Sequence, residues 1–235
     1  MWKGLLDSLK SSYRIIACDV RGFGKSTDEE SPISIDLFGE DLIAFMDKLN
    51  NKNAIACRLT MGGFLALNAL KIFPERFETL ILCDTQCIAD TTVIKENRYK
   101  AIDQINRVGV TEFNENFINS DFHTNSLTNK TELVETLSSI VFTNSKEMIT
   151  AGLTALNERS ETCSILSAIR FPTLINCGSE DAVTSLDRSE FMIEHIEGSS
   201  LKIIDDAGHV SNLEQPEEFN KYLRNFLNSL DSVSN

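Results

Sequence analysis

Two hydrophobic patterns alternate along the chain. Short, nearly continuous apolar runs are typical of strands that are buried on both faces of a parallel sheet, and apolar residues three or four positions apart are typical of amphipathic helices. The helical spacing predicts a helix that opens the chain and two more at 34–49 and 216–230. The apolar runs predict strands at residues 13–20, 53–57, 77–85, 171–181 and 200–209.

Strands that alternate with helices predict an α/β fold with a doubly wound, mostly parallel sheet flanked by helices. Residues 89–170 break the alternation, because they contain several amphipathic segments and no convincing strand. Such a segment is too long for a loop between two strands of a compact domain. We therefore expect a core formed by residues 1–88 and 171–235, with residues 89–170 inserted as a helical lid.

The acidic composition narrows the range of partners. The chain has 235 residues, a formal net charge of −13, 42% hydrophobic residues and 24% charged residues, which is the balance of an ordinary globular protein. Nucleic acids and anionic membranes require a basic surface, so neither is an expected partner. The N-terminus lacks the apolar core and cleavage site of a signal peptide. These features predict a cytoplasmic protein.

The cysteines carry no metal-binding or redox motif. Six are present, without a CxxC pair and without histidine at metal-ligand spacing. Several lie in or beside apolar runs, where cysteine behaves as a small hydrophobic residue. We therefore expect reduced thiols, as in most cytosolic proteins. The sequence implies no metal and no organic cofactor.

Candidate chemistry lies just beyond three predicted strands. The strand at 53–57 runs into a bend at Thr60, whose hydroxyl could act as a nucleophile. Asp181 and His209 each follow a later strand, and parallel strands bring their carboxyl ends to one edge of a sheet. Taken singly, Asp181 could be a helix cap and His209 a loop-stabilising residue. Together the three have the residue types of a nucleophile, a general base and an acid that orients the base.

The other two histidines are weaker candidates. His195 lies in a segment that is predicted to be a helix, where an exposed position is expected. His123 lies in the predicted lid, where it could line a pocket or serve as a polar surface residue. His209 is therefore the expected base.

The chain resembles the α/β-hydrolase fold family from about residue 2 to residue 230. Five segments carry the resemblance, in the family's order: DVRGFGKS (19–26), RLTMGGFLAL (58–67), LILCDT (80–85), GSEDAV (178–183) and AGHVSNLEQPEEF (207–219). Within the family, the chain is most similar to small carboxylesterases, enol-lactonases and cofactor-free haloperoxidases.

The resemblance implies a role for each candidate residue. Asp181 and His209 match the acid and the base of a catalytic triad, and Thr60 stands at the nucleophile position. Met61 would donate its backbone N–H to the oxyanion, and Gly62 would allow the tight turn of the nucleophile elbow. The insertion at 89–170 would cover the active site.

Three features depart from the family pattern. Thr60 replaces the family's serine, and a β-branched residue fits the strained backbone of the elbow poorly. Arg58 stands where the family has the first glycine of the elbow, so its guanidinium must reach solvent or a carboxylate. The chain also begins after a strand and a His-Gly loop of the family, so we expect an N-terminally truncated sequence or closure of the sheet between 13–20 and 53–57.

Two functions fit these observations. The first is a hydrolase of small carboxylic esters or lactones that acts through an acyl-enzyme intermediate, with an activity weakened by the departures. The second is a non-catalytic protein of the same fold, which binds a small apolar ligand under the lid or is an inert truncated product. In the first case the partner is a small-molecule ester or lactone, and the sequence does not specify an oligomeric state.

Overall fold

The computed structural model describes residues 1–27 and 32–233. Its helices and strands follow the chain in the order α1 (Lys3–Leu9), α2 (Ile35–Lys48), β1 (Ala54–Leu59), α3 (Met61–Ile72), β2 (Phe77–Cys83), α4 (Thr92–Val108), α5 (Thr111–Asp121), α6 (Thr124–Asn129), α7 (Thr131–Val141), α8 (Lys146–Glu158), β3 (Thr173–Gly178), α9 (Leu186–His195), β4 (Ser200–Ile204), α10 (Ser211–Glu214) and α11 (Pro216–Val233).

The described strands form one parallel sheet in the order β1-β2-β3-β4. Leu59 aligns with Cys83, Cys83 with Asn176, and Gly178 with Ile204, so the four strands end at the same edge. The central strand β3 is buried along its whole length, whereas β1 and β4 are only partly buried. The predicted α/β fold with a parallel sheet is confirmed.

Helices cover both faces of the sheet. Successive residues of β2 point to opposite faces: Leu80 and Leu82 join the hydrophobic cluster under α2 and α3, and Ile81 joins the cluster under α1 and α11. The spacing of Phe219 and Leu223, four residues apart, places both on the buried side of α11, as the sequence predicts. The two clusters together form the core that fixes the sheet.

Between β2 and β3 the described chain forms the helices α4 to α8 and no strand. The helical character predicted for this region is therefore observed. A separate hydrophobic cluster joins this segment to the turn after β4, through Ile118, Phe122, Leu137 and Val210. That the segment acts as a lid remains a prediction.

The prediction of a strand at residues 13–20 is wrong. Residues 14–20 have no regular secondary structure, and among the described residues no backbone hydrogen bond joins them to β1. A cavity of about 360 Å³ lies between the two segments. An apolar run becomes a strand only where a neighbouring backbone pairs with it. Residues 14–20 do not pair with β1, so they remain irregular.

The prediction of six reduced thiols is wrong for two of them. Cys87, after β2, forms a disulfide bond with Cys163, before β3, and the bond joins the two ends of the helical segment. Cys18, Cys57, Cys83 and Cys177 are free. The pairing could not be read from the sequence because the two residues are 76 positions apart. Disulfides persist mainly in oxidising compartments, and cytoplasmic location stays a prediction.

In the part of the chain that the structure covers, no helix combines the length and the apolar character that a membrane crossing requires.

The disulfide gives a direct test of this structure. Denatured protein should react with four equivalents of a thiol reagent without reductant and with six after reduction. Reduction should lower the free energy of unfolding by about 2–5 kcal/mol, because the bond limits the unfolded chain. Thiol counting by mass spectrometry and denaturant titration check the two expectations. A count of six labelled thiols before reduction would contradict the pairing, and a Cys87→Ser/Cys163→Ser variant, insensitive to reductant, is the control.

Candidate functional site

Thr60 occupies the sharp turn between β1 and α3. Its backbone has φ 45° and ψ −116°, a conformation that strains a β-branched residue by about 1–3 kcal/mol. The Thr60 N–H donates to the Cys83 carbonyl at 3.1 Å, and its own carbonyl accepts from the Gly63 N–H and the Thr85 hydroxyl, both at 2.8 Å. These bonds hold the turn in place against the strain.

The two glycines after Thr60 are not equivalent. A Cβ on Gly63 would overlap the Thr85 side chain, so this position requires glycine. A Cβ on Gly62 would make only an ordinary contact with Arg58 at 3.6 Å. The carbon chain of Arg58 lies against the first turn of α3, and its Nε atom is buried without a hydrogen-bond partner. Arg58 as a whole is only partly buried, so the expectation that its guanidinium reaches solvent or a carboxylate is not contradicted by the buried Nε.

The structure brings the three predicted residues together. The Thr60 hydroxyl lies 2.8 Å from His209 Nε2, and His209 Nδ1 lies 2.9 Å from an oxygen of Asp181. Both distances are those of hydrogen bonds. Asp181 and His209 are buried, at 5% and 3% exposure, so the ion pair that would form on protonation is shielded from water. The arrangement is an unbroken chain from hydroxyl to imidazole to carboxylate.

Asp181 is held in its ionised form by the loop after β3. One of its oxygens accepts from the backbone N–H groups of Val183 and Thr184 at 2.8 and 2.9 Å, and the other from the Thr184 hydroxyl at 2.7 Å. Burial raises the pKa of Asp181, but the hydrogen bond and charge of His209 and the Thr184 bonds outweigh it and lower the pKa below its ordinary value. The carboxylate is therefore charged and fixed in orientation.

His209 lies in a strongly negative environment. Burial lowers the pKa of its imidazole, but the hydrogen bond and charge of Asp181, with the further charges of Asp121 and Asp84, outweigh burial and raise the pKa above its ordinary value. The backbone N–H of His209 donates to the Asp121 carbonyl at 2.8 Å, which fixes the loop against α5. Such surroundings stabilise the imidazolium that general-base catalysis produces.

The sequence interpretation missed Asp84. This carboxyl is fully buried after β2 and joins the loop that carries Asp181 to the loop that carries His209: it accepts from the Gly178 N–H at 2.8 Å and from the Ser211 hydroxyl at 2.6 Å. Burial, followed by the charge of Asp181, raises the pKa of Asp84 to about 7. The available signal is an acid at the end of the strand predicted at 77–85, in LILCDT, and Asp181 stands at the end of its own predicted strand in the same way.

Two other acids near His209 were also missed. Burial raises the pKa of Asp121, at the end of α5, to about 7, and the charges of Asp181 and Glu214 add to the effect. Glu214, in α10, accepts from the backbone N–H of Gly208 at 2.6 Å and of His123 at 2.9 Å. It therefore closes the loop that carries His209 and ties it to the turn between α5 and α6. Nothing in the local sequence distinguishes these acids from surface carboxylates.

The remaining candidate residues have other positions. His123 caps α6 by accepting from the Asn125 N–H at 3.3 Å, and His195 stacks on Phe191 in α9. Met61 and Gly62 are the first residues of α3, where backbone N–H groups have no partner within the helix and can bind an anion.

Among the described residues, one group could in principle hold a metal ion. Potential ligand atoms of Asp84, Cys177 and Asp181 lie within 4.8 Å of one another, all buried. Both carboxylates already accept several hydrogen bonds from the surrounding loops. These acids are therefore engaged by the protein itself.

Known proteins of the alpha/beta hydrolase fold are similar to this chain. A sequence profile of the alpha/beta hydrolase fold matches residues 1–216. 3-Oxoadipate enol-lactonase 2 of Acinetobacter baylyi is 31% identical over 221 residues, which cover 94% of this chain and 80% of that protein. 3-Oxoadipate enol-lactonase 1 of the same organism is 30% identical over 98% of this chain and 84% of that protein.

Solved structures agree with the sequence comparison. A thermophilic esterase from Thermogutta terrifontis matches with a TM-score of 0.92 and 28% identity, over 97% of this chain and 84% of that chain. The enol-lactonase from Burkholderia xenovorans matches with a TM-score of 0.88 and 21% identity, over 97% of this chain and 85% of that chain, a likeness of fold alone.

The buried carboxyl of Asp84 makes stability depend on pH. Its pKa is raised from 3.8 to about 7 in the folded state, so the folded protein retains a proton that the unfolded chain releases. The contribution of this carboxyl to the free energy of unfolding is therefore fully present below pH 3.8 and is lost as the pH rises through about 7. The loss attributable to this group is on the order of 4 kcal/mol.

Replacement of Asp84 by asparagine tests this dependence. Asp84→Asn keeps an acceptor for the Gly178 N–H but cannot ionise, so its Tm should fall less than that of the unmodified protein between about pH 5 and pH 8. Thermal unfolding followed by circular dichroism across this range is the measurement. Asp103→Asn, which removes an exposed carboxylate, is the matched control. Parallel curves for all three proteins would contradict the buried titration.

Proposed function

The chain belongs to the alpha/beta hydrolase fold family, and on that premise we propose that it hydrolyses small carboxylic esters or lactones. Thr60 is the proposed nucleophile, His209 the general base and Asp181 the acid that orients it. The observation that carries the proposal is the continuous chain of hydrogen bonds, 2.8 Å from Thr60 to His209 and 2.9 Å from His209 to Asp181.

The first half of the reaction forms an acyl-enzyme. Asp181 accepts a hydrogen bond from Nδ1–H of neutral His209, which leaves Nε2 free to accept the Thr60 proton. As the proton moves to His209, the Thr60 oxygen attacks the carbonyl carbon of the substrate and gives a tetrahedral oxyanion. The oxyanion is proposed to accept from the N–H of Met61, with Gly62 allowing the close approach of the substrate to the start of α3.

Collapse of this intermediate breaks the ester bond. His209 returns the proton to the departing alkoxide oxygen, which leaves as an alcohol, or stays attached to the acyl group when the substrate is a lactone. A water molecule then gives a proton to His209 and attacks the acyl-enzyme. When this second intermediate collapses, the bond to the Thr60 oxygen breaks, His209 returns the proton to that oxygen, and the carboxylic acid is released. Each step uses only the residues described here and water.

The relatives support this class of substrate. Two proteins that are 30–31% identical to this chain are 3-oxoadipate enol-lactonases, and the structure with 28% identity is that of an esterase. Lactones and esters share the acyl–oxygen bond that the triad would cleave. Residues 89–170 are proposed to act as a lid. Their helix α8 lies close to the motif at 19–26, since a Cβ on Gly152 would come within 3.1 Å of Phe23.

Threonine in place of serine limits the expected rate. The methyl group must fit a backbone at φ 45°, and it restricts rotation of the hydroxyl. A serine at the same position would keep the bond to His209 and lose the strain. The activity proposed for the natural sequence is therefore that of a slow hydrolase.

A second candidate function is binding without catalysis. It is favoured by the combination of the strained Thr60 with the unpartnered, buried Nε of Arg58 beside it. In that case a small apolar ester or lactone would bind under the lid and stay intact. Thermal-shift measurements with lactones and a fluorophosphonate probe separate the two candidates: stabilisation without covalent labelling favours binding alone, and a label on Thr60 favours catalysis.

Substitution of Thr60 tests the nucleophile. Thr60→Ser should raise kcat/KM on p-nitrophenyl acetate by about tenfold, the equivalent of about 1.4 kcal/mol of relieved strain. Thr60→Ala and His209→Ala should each lower it by about 10³-fold or more. Thr128→Ser, at an exposed position in α6, is the matched control. The proposal fails if no variant, Thr60→Ser included, turns over acetate or butyrate esters.

The pH profile tests the base. His209 acts only when neutral, and its pKa is raised above 6.5, so kcat/KM should fall as the pH decreases, with a midpoint above pH 6.5. Asp181→Asn removes the main charge that raises this pKa and should move the midpoint to lower pH, besides lowering the rate. Initial rates from about pH 5 to pH 9 give both midpoints. A midpoint below 6.5 for the unmodified protein would argue against His209.

A further inference from the structure

A hydroxyl lies between the proposed base and the acid that orients it. Thr184, in the loop after β3, has its Oγ1 atom 2.7 Å from Oδ2 of Asp181 and 3.3 Å from Nδ1 of His209. Nδ1 lies 2.9 Å from the same carboxylate oxygen. The three atoms therefore form a closed triangle, whose two shorter sides have hydrogen-bond lengths. The hydroxyl takes no part in the proposed reaction steps, so its place beside the acid and the base requires another explanation.

The fold holds the Thr184 hydroxyl in this place. The residue is 2% exposed, so water has little access to the triangle. The Thr184 N–H donates to Oδ1 of Asp181 at 2.9 Å, and the Thr184 carbonyl accepts from the Cys177 thiol at 3.9 Å. A β-branched side chain on a fixed backbone has few rotamers. The hydroxyl is therefore a permanent neighbour of the acid and the base.

The direction of the hydroxyl hydrogen follows from a count of donors and acceptors. A carboxylate accepts at about four positions, two on each oxygen. Oδ1 of Asp181 accepts from the N–H groups of Val183 and Thr184. Oδ2 is left for the Thr184 hydroxyl and for Nδ1–H of His209. If the hydroxyl donated to Nδ1 instead, Nδ1 would carry no hydrogen, and Oδ2 would be buried without a donor, which is costly. The hydroxyl therefore donates to Asp181, along the shorter of its two distances.

Donation from Thr184 changes the charge that the carboxylate presents to the imidazole. The hydroxyl stabilises the ionised form of Asp181 and is one of the groups that lower the pKa of this acid. It also competes with Nδ1 for the lone pairs of Oδ2, so the attraction between Oδ2 and a protonated His209 is weaker. Without this donor the carboxylate would hold the imidazolium more tightly and raise the pKa of His209 further. A general base acts only in its neutral form.

Other acids act on the same imidazole. Asp121, at the end of α5, and Asp84, after β2, also raise the pKa of His209. Glu214, in α10, acts on Asp121. The Cys177 thiol lies close to Asp84, and its pKa is raised to about 12, so it is uncharged near neutral pH. With acids on several elements around it, the imidazole stays neutral more readily when a donor takes up part of the charge of the acid that it contacts.

We propose that Thr184 is a positioning residue for the hydrolysis. Its hydroxyl fixes Oδ2 of Asp181 and limits the charge that this oxygen presents to His209, so that the imidazole stays neutral and able to act as the base. Thr184 acts through Asp181 and not on the substrate. The role depends on the proposed function, because the imidazole has to be neutral only if it takes up the proton of Thr60.

Two substitutions at this position test the proposal. Thr184→Val keeps the shape of the side chain and removes the hydroxyl, whereas Thr184→Ser keeps the hydroxyl. Thr162→Val is the matched control, because Thr162 is also buried and its hydroxyl donates to the Cys87 carbonyl. Initial rates on p-nitrophenyl acetate from about pH 5 to pH 9 give kcat and KM. NMR titration of the His209 ring signals, assigned by their loss in His209→Ala, gives the pKa without turnover.

In Thr184→Val the midpoint of the fall in kcat/KM at low pH, and the titration of His209, should both move to higher pH by about one pH unit, a tenfold change in proton affinity. At pH 7 kcat should fall by about fivefold to tenfold, because less of the base is neutral, and the loss should shrink towards pH 9. KM should stay within about twofold. Thr184→Ser and Thr162→Val should keep the midpoint of the unmodified chain.

The direction of the shift decides the outcome. A move of the His209 titration to lower pH in Thr184→Val would overturn the proposal, because the hydroxyl would then only hold the carboxylate in place; an unchanged titration would overturn it as well. If no ester is turned over by any variant but the titration moves upwards in Thr184→Val and not in Thr184→Ser, the hydrolysis fails and the action of Thr184 on the imidazole is confirmed. If Thr184→Val does not fold, as judged by circular dichroism, Thr184→Ala should give the same upward shift.

Discussion

The parallel register of the sheet is the constraint on which the site depends. Because β1, β2, β3 and β4 end at one edge, the residues that follow them meet although they are far apart in the sequence. Thr60, Asp84, Asp181 and the loop of His209 are these residues. Hydrogen bonds also join the loops at this edge. Asp84, after β2, accepts from Gly178 at the end of β3 and from Ser211 beyond β4, and so connects the loops that carry Asp181 and His209.

Acidic side chains predominate at this edge of the sheet. Asp84, Asp121 and Asp181 all act on the single buried imidazole of His209, and burial raises the pKa of the first two while Asp181 stays ionised. A carboxyl group close to a second one ionises less readily. The surroundings of Asp84, Asp121 and Asp181 therefore decide which of them carries the negative charge. Asp181 accepts from two backbone N–H groups and from the imidazole, whereas Asp84 and Asp121 keep their protons more readily. The negative charge therefore lies mainly on Asp181, which is hydrogen-bonded to His209 and would stabilise a protonated imidazole.

The sequence predicted much of this edge because its signals are local. Apolar runs followed by Thr60, Asp181 and His209 identified strand ends, and the parallel alternation required those ends to meet. The strand expected at 13–20 failed, because strand formation depends on a pairing partner that the run itself does not encode. The Cys87–Cys163 bond and the roles of Asp84 and Glu214 also depend on tertiary proximity across many residues. Periodicity carries no information about such pairs.

The bond between Cys87 and Cys163 turns the helical segment into a covalent ring of chain attached to the sheet at its neck. A protease that cut a turn between α4 and α8 would open the polypeptide without releasing a fragment, since both pieces would stay tethered through sulfur. The nicked molecule would run as one band on a non-reducing gel and as two on a reducing gel. The helices between the two cysteines would thereby stay attached to the sheet after a cut that would otherwise separate the two pieces of chain.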